Sequence, residues 1–413
     1  MENLVFEVRS KFGARENRKG SWSSQSSRRS SSLKSIDLPL GGDSWPTGLY
    51  FAKIGLGTPS RDFFYVPIDT GSDLLWVNCA GCIRCPSKSD LMKLTQYDSD
   101  ASSTARPVSC DDSFCSSYFS QTSKCDHSVT GTGSTNGTII FGCGSIQTGG
   151  LEESVSAVDG IMGFGKSNSS FISQLASQGK VKRSFAHCLD NKNNGGGGGI
   201  FAIGEVVSPK VKKTTPMLPK SGHYSVSLTS VEVGDSVLQL SSGEVIVDSG
   251  TTLVYLPASV YMSLMNEILA THPELFYRVE DSFTCFHYTD KIYRLDRFPP
   301  VTFQFDKSAS LTVYPRDYLL QFEGDKWCFG WQSSENIYGG ILWILGDMAL
   351  SNKLVVYDIE NQVMGWTNHN CSGGIQVKDE ESGANYTVGA NNLSWSSSLV
   401  TVVSLLVHFL FTH

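Results

Sequence analysis

The chain has 413 residues, 40% of them hydrophobic, with 33 Lys and Arg against 40 Asp and Glu, a net charge of -7 and a pI near 5.6. That length can bury one or two sizeable cores. No basic stripe of the kind that follows a phosphate backbone is present, so nucleic acid is excluded as an expected partner.

Residues 1–20 contain no apolar run long enough for the core of a signal peptide. Residues 19–35, KGSWSSQSSRRSSSLKS, are too polar to offset chain entropy, and 1–44 reads as a disordered propeptide remnant. From 45 onward the pattern is short β-branched or aromatic runs separated by Gly, Pro, Asn and Ser. It predicts strands over 48–57, 63–69, 138–144, 224–233 and 353–358. Helices are expected over 169–178, which opens on Ser and is followed by Gly179, and over 257–271, where Val260, Leu264 and Ile268 fall on one face. The glycine run 195–199 predicts a loop. The end of the chain, 399–411 (LVTVVSLLVHFLF), is apolar but short of the roughly 20 residues a spanning helix needs. Preceded by the polar, small-residue stretch 382–398, it has the layout of a GPI-anchor signal.

Eleven cysteines and five Asn-x-Ser/Thr acceptors, at Asn136, Asn168, Asn370, Asn385 and Asn392, together fit an oxidising, glycosylating compartment. A secretory route, ending at the cell surface or outside it, is the expected localisation. The odd count leaves at least one thiol over, with Cys125 the candidate. Cys79, Cys82 and Cys85 have metal-like spacing, but zinc needs four good ligands, so disulfides are expected there and no metal. Eight scattered histidines show no ligand spacing, and no Gly-x-Ser-x-Gly turn supports a serine hydrolase.

The chemistry sits in an internal repeat. Residues 63–76 (FFYVPIDTGSDLLW) and 244–256 (EVIVDSGTTLVYL) each run from an apolar strand through Asp and Gly to a second apolar run. An apolar-apolar-Gly tripeptide follows each, at Gly163 and Gly346. Duplication of one β unit explains the match. If Asp69 and Asp248 face each other, like-charge repulsion leaves one proton between them, so one carboxyl serves as base and the other as acid. Such a pair activates water for peptide hydrolysis without metal or cofactor. Gly71 and Gly250 let the backbone approach closely, Ser72 and Thr251 can bond the outer oxygens, and Thr70 and Ser249 can bond across the interface.

These motifs, with Trp76, DGIMGFG and ILGD, resemble the pepsin family of aspartic proteases over about 320 residues. The insertion carrying Cys79, Cys82, Cys85, Cys110, Cys115 and Cys125 is similar to that of the plant, nepenthesin-like branch, and NGTIIFGCG and the tail are similar to GPI-anchored plant members. The resemblance implies a mainly β, bilobal fold with a cleft between pseudo-symmetric lobes, here 45–221 (insertion 79–125) and 222–371, then a spacer and tail over 372–413. It implies an endopeptidase acting at acidic pH on peptide or protein substrates, monomeric, with no cofactor and membrane contact only through an anchor. It also implies disulfides Cys285–Cys328 and Cys143–Cys371, while pairing inside the insertion stays open.

One family feature is missing. The flap hairpin, with its Tyr, belongs between Cys125 and Phe141, yet residues 126–140 (DHSVTGTGSTNGTII) hold no aromatic side chain. A deletion is the simplest account. Two functions are therefore expected to compete: an aspartic endopeptidase, and a catalytically impaired extracellular glycoprotein that keeps the cleft to bind peptides or protein partners.

Overall fold

A computed structural model of the chain describes residues 36–389, except 44–47, 59–61, 110–111, 115–127, 134–136, 149–153, 155, 192–197, 239–242, 281, 289–294, 323, 337–339 and 380–381. Cys110, Cys115, Cys125, Asn136, Asn392 and the apolar tail lie outside these residues. So does most of the glycine run, although Gly198 and Gly199 open the strand Gly198–Ile203 and do not belong to a loop.

The protein is mainly β, as the alternating patterns require. Thirteen strands follow one path. In order they are Thr214–Pro216, Val363–Asn368, Lys353–Asp358, Ser184–Asp190, Gly198–Ile203, Ile36–Asp43, Leu49–Gly55, Phe63–Asp69, Gly160–Gly163, Trp76–Ile83, Gly137–Ile146, Ser128–Gly133 and Arg106–Pro107. A second sheet of eight strands is built only from residues 225–345, a third joins four strands between Tyr277 and Phe329, and a fourth joins Val206–Ser208 to Ile375–Lys378 and Asn385–Val388.

Strands occur at both ends of the described residues where the sequence suggests none. Ile36–Asp43 was expected to be disordered, yet it pairs antiparallel with Gly198–Ile203 and with Leu49–Gly55, burying Leu38 and Leu40 between them. Ile375–Lys378 and Asn385–Val388, expected as spacer, bury Ile375, Val377 and Val388 against Ala186, Cys188, Ile200, Ala202 and Leu354. In both cases a few apolar residues find a partner strand far away in sequence, which local composition does not reveal.

Two helices lie where periodicity places them. Phe171–Ser177 is capped by the Ser170 side chain, which accepts from Ser173 N, and Gly179 follows at φ 64°. Ala258–Ala270 buries Val260, Leu264, Met265 and Ile268 on one face. The core under the middle of the molecule is aromatic: Phe164 meets Phe201, Phe185 and Phe171 with ring centroids 4.6, 5.2 and 5.3 Å away. Phe185 in turn stacks on Tyr357 at 4.5 Å. Since Phe164 directly follows Gly163 of the first tripeptide, the repeat that carries chemistry also carries packing.

Four disulfides are present among the described residues, Cys79–Cys143, Cys82–Cys85, Cys188–Cys371 and Cys285–Cys328. The expected bridge Cys143–Cys371 is therefore incorrect. Strand register decides the outcome: Cys143 pairs with Val77 of the parallel neighbour, which brings Cys79 to 5.4 Å between Cα atoms. Cys371 lies instead beside Cys188, whose strand pairs with Leu354. The same bridges engage the sulfurs of Cys79, Cys82 and Cys85.

Candidate active site

Each acidic turn is held by a strand it pairs with in parallel. Phe63–Asp69 runs beside Gly160–Gly163 with Ile68 opposite Met162 and Asp69 opposite Gly163; Gly243–Val247 runs beside Ile344–Leu345 with Val247 opposite Leu345. The two apolar-apolar-Gly tripeptides are thus the neighbours of the two Asp strands. Their glycines are required by contact: a Cβ on Gly163 or Gly346 would overlap the backbone of residues 73 and 251.

The structure brings Asp69 and Asp248 together. Gly71 N donates to Asp69 Oδ1 and Gly250 N to Asp248 Oδ1, both at 2.8 Å. Ser72 Oγ donates to Asp69 Oδ2 at 2.5 Å and Thr251 Oγ1 to Asp248 Oδ2 at 2.6 Å. The Asp69 carboxyl is near enough to raise that of Asp248. Each also presses on the other's turn, because a Cβ on Gly71 would lie 2.6 Å from Asp248 Cγ and one on Gly250 would overlap Asp69 Oδ1. Across the interface Ser249 N donates to Thr70 Oγ1 at 2.9 Å, Thr70 Oγ1 to Val247 O at 3.2 Å, and Ser249 Oγ to Ile68 O at 2.7 Å. The inner hydroxyls therefore lock the turns, while the outer ones orient the carboxylates.

Burial, and after it the Asp69 charge, pushes the Asp248 carboxyl up to about 6. A third carboxyl stands behind the pair. Asp347, fully buried, is held well above the usual range by burial and by the charges of Asp248 and Asp69, and its Oδ1 has no partner among the described residues. Sequence reasoning passed over it, although it directly follows the second tripeptide, where the first half has Phe164.

A cavity of about 350 Å3 opens at Asp69 and the second acidic turn, lined by Asp69, Trp76, Ile161, Ser249, Gly250 and Asp347 among others. No tyrosine is among its described lining residues. The segment where the lid was sought does form a hairpin, Ser128–Gly133 with Gly137–Ile146, but its one aromatic, Phe141, is buried in the core. A larger pocket of about 560 Å3 lies elsewhere, beside Asp317, Lys353 and Asn370, and offers a single carboxyl where this chemistry needs two. Among the described residues no His, Cys, Asp and Glu cluster could hold a metal.

The model of the eukaryotic aspartyl protease family matches residues 49–369, from the strand Leu49–Gly55 past both acidic turns. The chain belongs to that family. Aspartyl protease relatives from Arabidopsis thaliana include aspartic proteinase 39 and aspartic proteinase 36, each 45% identical over 98% of this chain and over 92% and 93% of their own length. The first alignment runs over 451 positions against 413 residues here, so that relative carries at least 38 residues this chain lacks. Solved structures with the same aspartyl protease fold include conglutin gamma from lupine seeds, at TM-score 0.62, 19% identity, 82% coverage of this chain and 95% of that one. Basic 7S globulin from soybean follows at TM-score 0.60, 18% identity and 82% and 97% coverage.

Buried titratable groups set an expectation for stability. Burial raises Asp159 to about 6 against the N–H bonds it accepts from Tyr65 and Thr95, and Asp248 reaches about 6 as well. Both titrate near 3.9 when unfolded. Between pH 4 and 6 the folded chain binds more protons, so each contributes about 3 kcal/mol in acid that is lost as pH rises through 6. His187 works in the opposite sense. Burial lowers it to about 3, so its contribution is lost as pH falls below about 6.5, and at pH 4.5 it costs about 3 kcal/mol. Wild type should therefore gain stability from pH 7 to 4.5, because the raised carboxyls outweigh the one imidazole, and His187→Gln should climb towards acid more steeply by about 3 kcal/mol. Urea unfolding at pH 4.5, 5.5 and 7 measures both, and parallel profiles for the two proteins would count against this assignment.

Proposed function

We propose that the chain is an aspartic endopeptidase working in acid, with Asp69 and Asp248 as its catalytic pair and Thr70, Gly71, Ser72, Trp76, Ser249, Gly250 and Thr251 in support. The observation that carries this reading is the two carboxyl groups packed against each other's turns, with an open cavity beside them. One carboxylate takes a proton from a water molecule, whose oxygen attacks the peptide carbonyl, while the protonated partner donates to the carbonyl oxygen. The resulting gem-diol collapses as the nitrogen gains a proton and leaves as an amine. Because the proton is held jointly, its titration belongs to the pair. Peptide or protein chains are the substrate, entering extended between the two halves.

Four disulfides support passage through an oxidising compartment. We place the protein in the secretory pathway, monomeric, with N-glycans on the exposed Asn168, Asn370 and Asn385 and on Asn136 and Asn392, and with residues 399–411 as a GPI signal. The lack of a tyrosine among the described residues that line the cavity favours a second reading, a peptide-binding glycoprotein with impaired catalysis. Incubating the purified chain with a denatured protein substrate from pH 3 to 6 separates the two. Cleavage with an acid optimum supports the peptidase, and binding without cleavage at any of these pH values overturns it.

A further inference from the structure

Asn370 lines the cavity of about 560 Å3 that lies away from the acidic turns, a volume within the roughly 300–1,000 Å3 of small-molecule sites. The other walls come from separate stretches of chain. Asn191 directly follows the strand Ser184–Asp190, Asn352 directly precedes Lys353–Asp358, Asn368 ends Val363–Asn368, and Tyr314 with Arg316 lies at the start of the short helix Pro315–Tyr318. Backbone bonds tie them together: Asn352 N donates to Leu189 O at 2.8 Å, and His369 N to Asn352 O at 3.0 Å.

The chemistry of these walls selects a class of ligand. Four side-chain amides line the cavity, Asn191, Asn352, Asn368 and Asn370, and each can both donate and accept. Arg316 and Asp317 offset each other, since Arg316 Nε lies 3.8 Å from Asp317 Oδ1, which also accepts from Asn352 Nδ2 at 3.1 Å. Asp317 is 1% exposed, and its Oδ2, like Asn191 Oδ1, has no partner among the described residues. Walls with acceptors to spare suit a neutral ligand rich in hydroxyl and amide donors better than an anion. Tyr314, partly exposed at the same cavity, adds an aromatic ring against which the C–H face of a sugar can lie.

Asn370 is also the acceptor of the triplet Asn370-Cys371-Ser372, and its side chain is exposed. Its Oδ1 accepts from Ser372 Oγ at 3.0 Å and its carbonyl oxygen from Gly373 N at 2.7 Å, while the next residue, Cys371, is bridged to Cys188. A sugar on Asn370 Nδ2 therefore leaves from a fixed point in the cavity wall. We propose that the first sugars of an N-glycan on Asn370 fold back into this cavity, held by the Asn352 and Asn368 amides and the Tyr314 ring. The inference rests on the secretory reading and not on the peptidase one. Tethering makes weak contacts sufficient, because a group joined to the wall is present at an effective concentration of roughly millimolar. The fixed turn lowers the ordering cost further.

The full chain, expressed through a secretory pathway and kept native, tests this with an endoglycosidase that cuts between the first two N-acetylglucosamine units, release at each site being followed by peptide mass spectrometry. A docked glycan is cut only while it is undocked. Release at Asn370 should therefore be about tenfold slower than at the exposed Asn168 and Asn385, and should match them once the chain is denatured. Tyr314→Ala combined with Arg316→Ala, which leaves the backbone bond from Asp317 N to Tyr314 O in place, should bring Asn370 to within about threefold of the other two. Equal release at the three sites of the native wild type would overturn the proposal and leave the cavity to a sugar from another molecule, whether or not the double variant folds. Slow release that a folded double variant does not relieve would overturn it as well. If Asn370 alone carries no sugar, the inference fails and the secretory reading stands. If none of the three sites carries one, that reading fails and takes the inference with it.

Discussion

Asp69→Asn should abolish peptide cleavage at every pH from 3 to 6, a loss of at least about a thousandfold in kcat/KM. The amide is the same size and keeps an oxygen for the Gly71 N–H, which Asp69 Oδ1 now accepts at 2.8 Å. What it cannot do is take a proton from water, and its NH2 turns a donor towards Ser72 Oγ, which today donates to the carboxylate at 2.5 Å. Removing the Asp69 charge also removes one of the influences that raise Asp248, although burial, the larger one, remains. Asp248→Asn should cost as much. The double variant should be no worse than either single one, since two groups that share one proton act as a unit and their losses do not add. Asp69→Asn activity within about tenfold of wild type would end the proposed mechanism.

That site was legible because its chemistry is local. An Asp followed by Gly at a tight turn, flanked by apolar runs and repeated with a matching tripeptide downstream, states both the residue types and their duplication. The inner hydroxyls Thr70 and Ser249 were legible for the same reason. Asp347 was not, because its influence comes from depth: nothing in ILGD says that this carboxyl is fully buried beside two others. His187 reads as one scattered histidine until strand register places it against Tyr357.

Of the fold, the strands around the acidic turns and both longer helices could be read from periodicity, and what could not be read depends on long-range pairing. Ile36–Asp43 carries two glycines and a proline, poor signs of a strand, and becomes one because Gly198–Ile203 and Leu49–Gly55 supply partners on both sides. The strands Lys353–Asp358 and Val363–Asn368 come late in the chain yet extend the sheet of the first half, so a cut near residue 222 does not divide the sheets cleanly. The absent lid aromatic is a different case. Residues 126–140 hold no Phe, Tyr or Trp, which can be read from the sequence directly.

The largest change in stability is expected from Cys188→Ser combined with Cys371→Ser. This bridge closes a loop of 183 residues, against 64 for Cys79–Cys143, 43 for Cys285–Cys328 and 3 for Cys82–Cys85. Because restraint of the unfolded chain grows with the logarithm of loop length, the order of stabilisation is about 5, 4, 4 and under 2 kcal/mol. Folded domains are stable by only about 5–15 kcal/mol, so the longest loop alone decides whether the fold survives near body temperature. The native contacts point the same way. Cys188 and Cys371 sit at 0% exposure in the small core that seats Ile375, Val377 and Val388, so the late strands Ile375–Lys378 and Asn385–Val388 should loosen first. Urea unfolding should show a drop of about 5 kcal/mol, with faster amide exchange over residues 375–388 preceding the global transition. The matched Cys82→Ser, Cys85→Ser protein should lose under about 2 kcal/mol, and equal losses in the two proteins would show that loop length does not govern this fold's dependence on its disulfides.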